Sequence, residues 1–174
     1  MEPTESAVIV PIPAAERAVA PWRARFDPAA GWGVPAHITV LYPFLPPERL
    51  DQAALELLAA AIRTVPRFEV ALTRVEWFGD TVVWLAAEPD EGFRALTAAV
   101  WHHFPETPPY GGAYADVVPH LTIGDGEPAT QLRRAGDAVR KHLPIHTSVE
   151  GALVMCGSRV SNSWRSVSEL PLGR

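Results

Sequence analysis

The chain has 174 residues and a formal net charge of −5. That is enough for one core, or for two small lobes sharing one, and too short for two independent domains. Hydrophobic residues at 48% and charged residues at 20% exclude a disordered or collagen-like chain, and 15 basic against 20 acidic side chains exclude a grip on long nucleic acid through its backbone.

In chain order, residues 6–12 are predicted to form a short buried strand around Val8-Ile9-Val10, closed by Pro11 and Pro13. The stretch before it lacks a basic leader, and Pro11 interrupts its apolar run, so neither a signal peptide nor a membrane span is expected and the cytoplasm is the expected location. Ala15, Val19, Trp22 and Phe26 fall at helical spacing and predict a helix over 14–26, broken by Asp27-Pro28, with 31–35 as loop. The β-branched run 37–42 predicts a strand stopped by Pro43 and Pro46-Pro47. A helix over 48–63 follows with an apolar stripe of Leu50, Ala54, Leu57, Leu58 and Ala61, then a hairpin of 68–78 and 81–87 turning at Gly79-Asp80.

The second half repeats this order. A helix runs from 90 to about 103, a Pro/Gly-rich loop extends through Gly112, and a strand covers 117–123. A helix over 128–142 and strands over 145–155 and 164–170 complete it, with turn residues at Gly157-Ser158 and Ser161-Asn162. The expected fold class is α+β. Residues 1–174 form a single domain of two lobes, about 1–88 and 89–174, with strand exchange between them allowed. Each lobe is a mainly antiparallel sheet backed by helices, and the two face across a central cleft.

One pattern stands out: His37-Ile38-Thr39-Val40 and His120-Leu121-Thr122-Ile123, each inside a predicted strand. Side chains alternate across a strand, so His and Thr two apart share one face while the apolar residues pack on the other. His146-Thr147-Ser148-Val149 lacks that alternation and is left out. Two imidazoles titrate near neutrality, so one can take a proton from an attacking oxygen while the other gives one to the leaving oxygen of a phosphodiester. The threonine hydroxyls can donate to non-bridging phosphate oxygens. No recognised ligand spacing ties Asp116 or Asp125 to a histidine, and the lone Cys156 completes no zinc pattern, so neither a metal nor a cofactor is expected.

These paired tetrapeptides, with Gly33-Val34-Pro35-Ala36 before the first, Leu41-Tyr42-Pro43-Phe44 after it, and 119–124 around the second, resemble the signature of the 2H phosphoesterase superfamily and of the 2′-5′ RNA ligase family within it. The resemblance implies a bilobal, pseudo-twofold fold with one motif per lobe. It makes His37 and His120 the acid-base pair and Thr39 and Thr122 the phosphate ligands, and it puts Tyr42 where relatives place an aromatic able to stack on a base. It implies a metal-independent enzyme, a phosphodiesterase or ligase of cyclic or 2′-5′-linked phosphodiesters in nucleotides or short RNA. A monomer is expected.

Some RNA-processing relatives carry a basic residue after the second motif. Here Gly124-Asp125-Gly126-Glu127 follows, which favours a small nucleotide over long RNA. Tyr110, beside Gly111-Gly112 and Tyr114, is a candidate for the cleft rim, and Arg165 and Arg159 are candidates for a phosphate-facing cation. Trp32, in a loop just before the first motif, is the exception to watch among the tryptophans, most of which are expected in the core or in lobe packing. His102-His103 and His142 suit helix ends. The alternative is a non-catalytic module that binds a nucleotide or phosphometabolite in the same cleft, against which the retention of both histidines counts.

Overall fold

The computed structural model describes residues 1–126 and 128–174, so Glu127 of the acidic turn lies outside the described residues. The elements are β1 (Glu5–Pro11), α1 (Glu16–Phe26), α2 (Pro28–Trp32), β2 (His37–Leu41), α3 (Gln52–Arg63), β3 (Phe68–Phe78) and β4 (Val82–Glu88). They continue with α4 (Glu91–His103), β5 (His120–Asp125), α5 (Ala129–Arg140), β6 (Ile145–Val149), β7 (Gly151–Gly157) and β8 (Arg165–Pro171). The fold is α+β, as expected.

The eight strands form one curled antiparallel sheet in the order β6-β3-β4-β5-β2-β1-β7-β8. The two expected sheets are its halves, which meet between the two motif strands. There the only registered pair is Ile38↔Leu121, and each of these follows its motif histidine by one residue. The matching register makes the seam between β2 and β5 a local pseudo-twofold axis.

Each half of the sheet draws strands from both halves of the chain. β3 and β4 lie beside β5, while β7 and β8 lie beside β1. The helices cross as well: α1, which follows β1, packs on β5, and α4, which follows β4, packs on β2. α3 completes the cover of the first-motif half, and α5 that of the second.

Local chemistry explains where boundaries depart from expectation. Asp27-Pro28 ends α1 but also starts α2: the Asp27 carboxylate accepts from the Ala29 N–H at 3.1 Å, and Pro28 needs no partner in the first turn. Asp51 caps α3 through the Ala54 N–H at 2.8 Å, so the helix begins at Gln52, with residues 47–49 a 3-10 turn. Leu57 is 42% exposed, and the buried stripe is Leu58, Ala61 and Ile62. Residues 117–119 are outside the ladder, and β5 starts at His120. The strand expected over 145–155 breaks at Glu150, because β6 pairs with β3 and β7 with β1, on different halves of the sheet.

Ile38, Val40, Leu121 and Ile123 are all buried in the main core, which lies between the sheet and the helices. Each such side chain contributes about 1.5–3 kcal/mol by leaving water. That burial fixes the opposite face of β2 and β5 toward the cleft. A second, smaller cluster of Ala7, Ile9, Val34, Met155 and Trp164 covers the cleft side of the first-motif half.

Candidate active site

β2 and β5 show the same alternation, with the half-buried histidines and threonines on the cleft face and Ile38, Val40, Leu121 and Ile123 buried behind them. The structure brings His37, Thr39 and Tyr42 into one cavity of about 300 Å³ and His120, Thr122 and Tyr110 into a neighbouring one of about 400 Å³.

Both imidazoles are held by one device. His37 Nδ1 lies 2.7 Å from the Pro35 carbonyl and His120 Nδ1 lies 2.8 Å from the Val118 carbonyl, each two residues back. A carbonyl only accepts, so in each ring Nδ1 carries the proton and Nε2 is left as the basic nitrogen. Loss of hydration, together with the Arg23 and His120 charges, lowers the His37 pKa from 6.5 to about 4, against the opposing pull of the Pro35 carbonyl. His120 is lowered too, again by burial. The free cleft therefore holds two neutral imidazoles near pH 7, where sequence alone suggested one neutral and one protonated.

The approach to His37 is clamped from α1. Arg23, only 3% exposed, pairs with Asp27 at 2.9 Å and donates to the Val34 carbonyl at 3.1 Å, while Glu16 accepts from the Ala36 N–H at 2.7 Å. A corner at Gly33 completes the clamp. Its left-handed φ of 99° caps α2, and the Trp32 carbonyl accepts from the Trp164 N–H at 3.0 Å, tying this corner to the turn before β8.

The two cavities are lined differently. The His37 cavity has an apolar floor of Ala7, Ile9, Met155 and Trp164, and Trp32, Tyr42 and Arg159 line it too. The Arg159 guanidinium lies 5.9 Å from the Trp32 ring centre, within 3.5 Å of the Tyr42 hydroxyl, and 3.5 Å from Glu5. His120 sits between aromatic rings, with Phe78 and Trp84 centred 5.0 and 5.9 Å away. Tyr110 adopts a positive φ of 52° and donates its N–H to the Tyr42 carbonyl at 2.6 Å, so the rim loop is fastened to the end of β2. Burial raises the Tyr110 hydroxyl pKa, offset in part by the neighbouring Thr39.

Arg165 is not brought to the cleft. Its guanidinium donates to the Asn162 and Trp164 carbonyls, both at 2.9 Å, and it lines neither cavity. Arg159, its rival in the same turn, does line the cleft. Sequence reasoning missed Phe78 and Trp84. Residues 82–87 are apolar throughout, so no alternation singles out Trp84, and the register, with Trp84 opposite Thr122 and Ala86 opposite His120, emerges only from the pairing. Among the described residues no group of three His, Cys, Asp or Glu side chains is placed to hold a metal ion, and no helix is long and apolar enough to cross a membrane.

Two histidine-threonine pairs facing one cleft from the central strands of a two-lobed α+β sheet define a protein of the 2H phosphoesterase type. A family model, the 2′-5′ RNA ligase superfamily, matches residues 10–157, and the chain belongs to that superfamily. Among solved structures, TT0787 of Thermus thermophilus is similar at a TM-score of 0.70 and 20% identity, over 98% of this chain and 99% of that one. LigT of E. coli in complex with 3′-AMP is similar at a TM-score of 0.68 and 23% identity, over 99% and 100%. Apo LigT is similar at a TM-score of 0.65 and 23% identity, over the whole of both chains. No curated protein sequence matches the chain significantly.

Proposed function

We propose that the protein is a metal-independent phosphodiesterase that acts on cyclic or 2′-5′-linked phosphodiesters of nucleotides or short RNA, with ligation as the same step reversed. The observation that carries this reading is the matched pair of imidazoles, each with Nδ1 fixed by a carbonyl and Nε2 left free beside a threonine on the same strand face. One Nε2 takes the proton of a water or a terminal hydroxyl as its oxygen bonds to phosphorus. The P–O bond to the leaving oxygen breaks, and that oxygen takes its proton from the other imidazole. Because both rings are neutral in the free cleft, the acid gains its proton when the bound phosphate anion stands in for lost hydration. Thr39 and Thr122 donate to the non-bridging oxygens and hold the phosphorus between the rings.

Support for the size of the ligand, though not for its charge, comes from LigT of E. coli, which has been crystallised with 3′-AMP, ATP and NADP+. Tyr42 and Trp32 line the His37 cavity as surfaces for a base, and Tyr110 borders the His120 cavity. The same reading takes the protein as a cytoplasmic monomer that does not engage long nucleic acid.

The test uses EDTA-treated protein and a panel of 2′,3′-cyclic nucleotides and 2′-5′-linked dinucleotides. Turnover should survive chelation and fall about 10²–10⁴-fold in His37→Ala and in His120→Ala. Turnover that appears only with added metal refutes the mechanism. Nucleotide binding without turnover favours a sensor built on the same cleft.

A further inference from the structure

The two cavities share one wall residue. Asp125 is the only described residue that lines both the His37 cavity and the His120 cavity. It ends β5 in register with Val82, and the next residue, Gly126, donates its N–H to the Thr81 carbonyl at 2.8 Å. Gly124 before it packs so closely that a Cβ there would come within 2.7 Å of Leu132 and 3.0 Å of Phe26. The backbone that carries Asp125 is therefore held on both sides.

Charge around this position is one-sided. The Asp125 carboxylate pairs with no cation among the described residues. The other acid of the cleft, Asp116, is neutralised by Arg94 at 2.9 Å. Among the described residues Arg159 is the only cation lining either cavity, and it stands among Trp32, Tyr42 and Glu5. In the free cleft the histidine and threonine side chains are neutral, and the one imidazole that gains a proton on binding balances a single phosphate charge. A site that gathers a dianionic phosphate normally brings guanidinium or ammonium groups to it; this one presents an unpaired carboxylate.

We propose that Asp125 is a specificity-determining residue that filters ligands by charge, so that the cleft accepts phosphodiesters, with one negative charge at phosphorus, and rejects the monoesters, with two, that their hydrolysis releases. The inference rests on the phosphodiesterase reading and deepens it, because it names what the cleft excludes. A linear diester or a cyclic phosphate meets one unit of repulsion from Asp125. A terminal monoester or a polyphosphate meets two or more, and each added charge weakens binding beside this exposed carboxylate, by about tenfold at a separation of a few ångströms. Product thus leaves a site that held the substrate, and nucleotides with terminal phosphates compete poorly.

The experiment measures binding of adenosine 3′-phosphate and of its methyl ester, a pair that differs by one charge, to the wild-type protein and to Asp125→Asn by calorimetry. The pH is about 8, so that the second phosphate proton, lost near pH 6, is gone. The asparagine keeps the shape, and thermal denaturation checks the fold. The monoester should gain about tenfold more affinity from the substitution than the methyl ester, and the difference should shrink as salt is raised. Equal gains for the two esters, or no change in either, overturn the filter. Turnover of 2′,3′-cyclic AMP, followed in the same preparations, separates the two ideas. A protein that discriminates between the esters without turnover keeps the filter and loses the phosphodiesterase, and turnover without discrimination does the reverse.

Discussion

Anchoring each imidazole through Nδ1 leaves His37 and His120 one basic nitrogen each, and the loss of hydration around them keeps that nitrogen free of a proton near pH 7. Two pH effects follow. Because His37 titrates near 4 in the folded chain and near 6.5 when unfolded, the unfolded state takes up the proton first. Its contribution is intact above pH 6.5 and is lost as the pH falls toward 4, amounting to about 3 kcal/mol in full. His37→Asn should flatten the dependence of Tm on pH across that window, and an unchanged slope would show that the ring is not strained by burial. In catalysis, kcat/KM reports the free enzyme, where one imidazole must be neutral and the other protonated, and both titrate below 6.5. Its maximum against 2′,3′-cyclic nucleotides should therefore fall below pH 6.5. At this scale the four motif residues were legible, because a two-residue repeat with apolar partners states its own orientation. Arg159 and Arg165 were not separable, since their placement depends on which carbonyls the turn at 158–163 presents.

At the scale of elements, the site depends on two tight approaches. The buried pair of Arg23 and Asp27 secures the backbone that leads into His37, and Arg23→Ala leaves a carboxylate stranded at 8% exposure, so it should cost about 3–5 kcal/mol of stability in denaturant unfolding. On β7, a Cβ at Gly157 would lie 2.5 Å from the Trp164 ring and 2.8 Å from its Cα. Gly157→Ala should therefore lower stability by about 1–3 kcal/mol and weaken nucleotide binding by moving a wall of the His37 cavity, measured by calorimetry. If binding is unchanged, Trp164 has no part in shaping that cavity. The helices other than α2 and the 68–88 hairpin were readable from period and turn residues, whereas α2 lay where a break and a loop were expected. The break at Glu150 was signalled only by Glu150-Gly151, a pair disfavoured in strands, and only pairing with two distant strands reveals that 145–155 serves different halves of the sheet.

For the whole molecule, sequence order showed two similar halves but not how they interlock. A chain cut between 89 and 90 would leave β1-β2 and β3-β4 without β5 between them in one piece, and β5 without either neighbour in the other. Each piece should be unfolded alone by circular dichroism, and mixing them should restore structure. Independent folding of either piece would contradict the interlock. The single registered pair at the seam has one more consequence. A sheet with continuous ladders is one stiff plate, whereas this one is two plates joined along a narrow crease, Ile38 against Leu121. On the helix face the core runs unbroken from one plate to the other, and α1 and α4 each pack on the strand across the crease. What joins the two plates is thus side-chain packing more than hydrogen bonding, as a book is held by its binding rather than by its pages.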